Sequence, residues 1–73
     1  MNFSHGVYAK VEFNTRPNGY KSTYFCDSSE GLYDKIEYKF GHELATDASS
    51  WSEVASVGEK YEHENFIIEM VEV

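Results

Sequence analysis

Hydrophobic and polar positions change period several times along the chain, and each change marks an element. Val7, Ala9, Val11 and Phe13 alternate with Tyr8, Lys10 and Glu12, the period-two pattern of a strand with one face buried. Arg16-Pro17-Asn18-Gly19 follows, with Pro17 fixing φ at the first corner of a turn and Gly19 free to take a positive φ. Tyr20 to Cys26 is rich in β-formers (Tyr20, Thr23, Tyr24, Phe25) and completes a hairpin. The period then lengthens. Leu32, Ile36, Phe40 and Leu44 recur every four residues with Tyr33 beside them, which predicts one long amphipathic helix from Asp27 to Leu44. Asp27 followed by Glu30 is a capping pattern for its first turn.

Ala45 to Ser50 is small and polar and reads as a connection. Ser50 with Glu53 forms a capping box ahead of Trp51, Val54, Ala55 and Val57, and Gly58 supplies a stop, so a second helix of about two turns is expected. Trp51 should be buried and pin that helix to the body. Glu59 to Asn65 reads as a charged loop. Phe66 to Val73 is a further strand, with Phe66, Ile68 and Met70 on one face and Ile67, Val71 and Val73 on the other.

Connection rules assemble these elements into an α+β domain. A right-handed crossover through both helices lays the last strand parallel to the second. The expected architecture is therefore a three-stranded antiparallel sheet of order 2-1-3 (ββααβ), with one long and one short helix packed on one face. The other face, carrying Tyr8, Lys10, Tyr24 and Ile67, stays partly open.

Composition narrows the class. Residues 1–73 make a single small acidic domain, of a size that buries only about 60% of the surface its unfolded chain exposes. Five Phe, six Tyr and one Trp help to make a core in so short a chain. Cys26 is the only cysteine, so no intrachain disulfide forms and nothing points to an oxidising compartment. No apolar run reaches signal-peptide or membrane-spanning length, and a cytoplasmic, free-standing protein beginning at Met1 is expected.

Charge is unevenly placed. Residues 1–26 hold Lys10, Arg16 and Lys21 against Glu12, a net +2, whereas residues 27–73 hold twelve acids against Lys35, Lys39 and Lys60, a net −9. Such a field repels nucleic acid and anionic lipid and attracts basic protein surfaces. Tyr8, Tyr20 and Tyr24 with Lys10, Lys21 and Arg16 have the residue types that stack and hold single-stranded bases, but the neighbouring −9 disfavours nucleic acid, and cross-strand Tyr pairs with Lys as edge protection account for them.

Catalytic and metal patterns are not met. His42-Glu43 and His63-Glu64 open like a zinc-protease motif, but Thr46 and Ile67 stand where the second His belongs. Cys26 precedes a helix, where a thiol can be activated, yet Asp27 beside it opposes a thiolate. No enzyme chemistry, metal or cofactor is expected.

What remains is acidic. Glu30, Asp34 and Glu37 fall on one side of the first helix with no Lys or Arg four residues away, rising about 6 Å and then about 4.5 Å along its axis. That spacing is comparable with successive phosphates. Glu53, Glu59, Glu62 and Glu64 extend the field if the second helix and its loop lie alongside. In size and charge the chain is similar to small phage or mobile-element inhibitors, including anti-CRISPR and anti-restriction DNA mimics; no motif carries the likeness. The expectation is a non-enzymatic protein-binding module whose partner is a basic surface. The alternative is a small structural or regulatory subunit associating through its sheet edge or open Tyr face, for example as a homodimer.

Overall fold

The computed structural model describes residues 1–15 and 20–73. The expected Arg16–Gly19 turn lies outside the described residues. On either side of it, β1 (Val7–Thr15) and β2 (Tyr20–Cys26) pair antiparallel from Ala9↔Cys26 to Thr15↔Tyr20. Two helices follow, α1 (Ser29–Phe40) and α2 (His42–Val54), then β3 (Lys60–Glu62) and β4 (Phe66–Glu72). β4 runs antiparallel along the other side of β1, from Val7↔Glu72 to Phe13↔Phe66. β1 is therefore hydrogen-bonded on both sides. The three expected strands keep their order, with β4 in the place of the third.

The sheet nevertheless has four strands, ordered β2-β1-β4-β3, and the chain reads ββααββ. The added strand, β3, lies within the stretch expected to be a charged loop. It is only three residues long, and Lys60 and Glu62 are exposed on either side of the half-buried Tyr61. Antiparallel pairing to Ile67, Ile68 and Glu69 of β4 holds it, an interaction that periodicity within so short a segment does not reveal.

The helices also divide differently. The long helix expected over Asp27–Leu44 ends at Phe40, and its N-cap is Ser28, whose Oγ accepts from the Gly31 N–H at 3.0 Å. Gly41 makes the break, with φ 95° and ψ 178°, a region open essentially to glycine alone. Its N–H still donates to the Glu37 carbonyl (3.0 Å), and its carbonyl accepts from Ala45 (3.3 Å), so one residue closes α1 and opens α2. Leu44 belongs to the second helix, and the four-residue stripe is shared across the break. Ala45–Ser50 is helix rather than connection. The expected cap at Ser50 falls inside it, because α2 begins at His42. Trp51 sits in the last turn of α2, half-buried, with its ring 5.5 Å from that of Tyr61. From there it packs against the core, and Ala45, Ala48 and Ser52 are the fully buried residues that bring α2 into the fold.

Register fixes the two sheet faces. Ala9, Val11 and Phe13 share the helix side with Phe66, Ile68 and Met70, and with Leu32 and Ile36 of α1 these make the core. Each fully buried side chain of this kind contributes about 1.5–3 kcal/mol. The same register places Tyr24, opposite Val11, on the helix side, contrary to the expectation that it lies on the open face. Phe25, opposite Lys10, takes that place, and it is 61% exposed.

Two measurements test this fold. Gly41→Ala should lower stability by about 1–3 kcal/mol through backbone strain, read as an earlier urea midpoint at unchanged slope. No atom lies within 4 Å of the added Cβ to supply a steric cause. Amides of β1 from Ala9 to Phe13 should be among the slowest to exchange with solvent, since this stretch is paired on both edges. Rapid exchange there contradicts a central β1.

Candidate functional site

The seven acids singled out from the sequence are all exposed. Glu30, Asp34 and Glu37 lie along α1, and Glu53 lies in the last turn of α2. The buried Ser29 joins the helix ends: its Oγ donates to the Glu53 carboxylate at 2.8 Å and also approaches Glu30 at 3.5 Å. Glu30, Asp34 and Glu53 thus rim one shallow groove between the helices, floored by Ser29, Tyr33 and Ser49, with a volume of about 260 Å³. Glu59, Glu62 and Glu64 surround β3 instead. Glu62 pairs with Ile67 and points from the sheet face opposite the helices.

Besides Glu53, two carboxylates of the α1 stripe already have partners. The amino-terminal ammonium forms an ion pair with Glu30 and donates to Ser29 Oγ at 3.0 Å. The hydrogen bond from the ammonium to the Glu30 carboxylate, followed by one from Glu30's own backbone N–H, holds Glu30 below the usual glutamate range. Backbone pairing sets up the contact: Ser29 N–H donates to the Met1 carbonyl (2.9 Å), and Phe3 N–H to that of Asp27 (3.0 Å). Glu37 accepts from the Tyr33 hydroxyl at 2.9 Å. Tyr33 has one proton and the carboxylate can only accept, so the His42 Nδ1 in contact with Tyr33 donates to the phenol oxygen. Desolvation first, then Glu37, pushes the Tyr33 phenol up and keeps it protonated. Asp34 has neither kind of partner and is the least compensated charge of the stripe.

Two further acids on the helix pair are exposed. Glu43 and Asp47 lie in α2, in and beside the stretch taken from the sequence for a connection. Asp47 is close enough to Tyr61 to help burial raise that phenol. Gly41 followed by His42-Glu43 is the signal that could have revealed them, a helix stop with an acidic first turn behind it.

The other candidate chemistries are used structurally. Cys26 is 6% exposed and burial raises its thiol, so it is protonated at neutral pH. The His63 ring stacks on Phe66 with centroids 4.9 Å apart, and its Nδ1 accepts from the Asn65 N–H at 3.1 Å. His42 opens α2, and its ring packs edge-on against Tyr33. Among the described residues no group of three or more His, Cys, Asp or Glu could hold a metal ion, and no helix is long and apolar enough to cross a membrane.

No protein-family model matches the chain, and no curated protein or solved structure matches it.

The ion pair to Glu30 has a pH signature. A lowered carboxylate pKa stabilises the folded state above the ordinary glutamate range, and that contribution is lost as pH falls through the lowered value. In a carboxyl-detected NMR titration Glu30 should titrate below the usual glutamate range. Acetylating the amino terminus should return it upward; a Glu30 that titrates normally with the terminus free contradicts the pair.

Proposed function

We propose that the chain is a non-enzymatic binding module whose acidic helix face occupies a basic surface on a partner protein, of the kind that otherwise holds nucleic acid. It acts in the cytoplasm as an inhibitor of the phage or mobile-element type, in the manner of anti-CRISPR and anti-restriction DNA mimics. The observation that carries the reading is the convergence of Glu30, Asp34 and Glu53 on one inter-helical groove, with Glu37 continuing along the same helix. Carboxylates crowded on a helix and across a helix pair oppose folding by a few tenths of a kcal/mol for each like pair. Their retention on one side has a rationale if a cationic surface is the counterpart. Glu59, Glu62 and Glu64 lie apart from this groove, around β3, with Glu62 on the opposite sheet face. Direct nucleic-acid and membrane binding are both disfavoured by the net charge of −7.

One observation favours a second reading, a subunit that pairs with its own copy through the open sheet face. Across the strands, Phe25, Lys10, Glu69 and Lys60 stand in one row. A two-fold axis along the strands between β1 and β4 sets Lys10 over the partner's Glu69 and Phe25 over the partner's Lys60. Such a row is self-complementary. Capture of a partner from host lysate across a salt series separates the readings, because an acidic mimic loses its partner steeply with salt.

Reversing charge with Asp34→Lys and Glu37→Lys should abolish capture while the circular dichroism spectrum stays that of the native fold. Both side chains are exposed, and Lys is a good helix former. Loss should appear mainly as slower association. Tyr8→Ala, on the open sheet face, should leave capture unchanged. Normal capture by the reversed variant together with loss in Tyr8→Ala moves the partner to the sheet and overturns the proposal.

A further inference from the structure

A second groove, of about 560 Å³, lies between α1 and the outer strand β2, on the other flank of the helix from the inter-helical groove. Phe13, Tyr24, Asp34, Lys35, Tyr38 and Lys39 line it. Two facts set it apart. Residues 27–73 contain only three lysines against twelve acids, and two of those three are here. The strand beneath is also an edge: β2 has β1 on one side and, among the described residues, no strand on the other. Its outward backbone N–H and C=O groups are a template for another strand.

The lysines are in step with the strand. Lys35 Nζ lies 4.4 Å from the Tyr24 ring centroid, and Lys39 Nζ lies 5.2 Å from that of Phe13, the partner of Ser22. One turn of α1 therefore advances over two residues of β2, in the opposite chain direction. A helical turn of four residues rises about 6 Å, and alternate residues of a strand are about 6.6–6.8 Å apart. An extended segment laid beside β2 would present every second side chain to Lys35 and Lys39. Its intervening side chains would fall on the open sheet face beside Phe25, which is 61% exposed. On the helix flank Tyr38, 90% exposed, walls the groove without a packing role of its own.

We propose that this edge and groove bind an extended peptide that alternates acidic and apolar residues, adding a strand to β2. Main-chain hydrogen bonds supply affinity, and the two ammonium groups select carboxylates at alternate positions. The aromatic rings hold both cations in place until the carboxylates arrive. Asp34, at the rim toward the start of α1, disfavours a third carboxylate at that end. This site goes beyond the acidic-face reading and is independent of it, since the ligand carries the opposite charge.

The probe is an acetylated, amidated hexapeptide alternating glutamate and valine, titrated into the nitrogen-15-labelled chain. Amide shifts should concentrate in Ser22–Cys26 and Asp34–Lys39. Replacing glutamate by lysine in the peptide should weaken binding at least tenfold, as should N-methylating every second peptide amide. The double variant Lys35→Gln, Lys39→Gln should lose at least tenfold in affinity at unchanged melting temperature. Both side chains are exposed. Equal binding of the lysine or N-methylated peptide, shifts centred elsewhere, or no binding at millimolar peptide overturns the proposal. So does movement of the β2 amides on raising protein concentration without peptide, which makes a second copy the occupant.

Discussion

The structure depends on the ring of Phe66. It lies at the start of β4, fully buried, and meets rings from every layer of the molecule: Phe13 of β1 at 6.0 Å, Phe40 of α1 at 5.5 Å, and Tyr61 of β3 at 6.0 Å, with His63 stacked at 4.9 Å. Tyr61 passes the contact on to Trp51 of α2. Each ring pair adds about 0.5–1.5 kcal/mol beyond the area it buries. Together with Leu32 and Ile36 of α1, this cluster ties both helices to the sheet. It also explains why a three-residue β3 persists, since Tyr61 lies nearly parallel to Phe66, 5° between planes.

Elements with strong internal periodicity were legible in the sequence, and those defined by their neighbours were not. The alternation from Val7 to Phe13 and from Phe66 to Met70 identified two strands and their buried faces, and the Leu32–Ile36 stripe identified a helix. The break at Gly41 escaped because Leu44 continues the four-residue spacing, although Leu44 reaches the core from a second helix. Tyr24 was placed on the wrong face because alternation alone does not say which phase of an aromatic-rich strand is inward. That is set by pairing with Val11. The acidic stripe was legible as positions on a helix. Its compensation was not, because the cation on Glu30 is the amino terminus, separated from it in sequence by the whole hairpin.

Charge in this molecule is sorted by surface rather than averaged over it. Carboxylates gather on the outer side of the helix pair and around β3, while Lys35 and Lys39 turn to the opposite flank of α1 and cover aromatic rings. Asp34 lies on the crest between and lines both grooves. A single amphipathic helix thereby offers two flanks of unlike electrostatic character, each with its own shallow concavity. The proposed interactions divide between them.

The pairing of β1 has a consequence for biogenesis. Its second neighbour, β4, is made near the end of the described chain, so during synthesis β1 and β2 emerge as a hairpin with one flank of β1 bare. The helices follow before the strand that completes their platform. Contacts that join distant parts of a chain carry a loop-closure cost before they are rewarded. The nascent chain therefore exposes Ala9, Val11 and Phe13 beside an unfilled slot until Phe66–Met70 arrives. Mutual repulsion among molecules carrying so much negative charge is the protection available in that interval, so solubility while folding and recognition once folded draw on the same carboxylates.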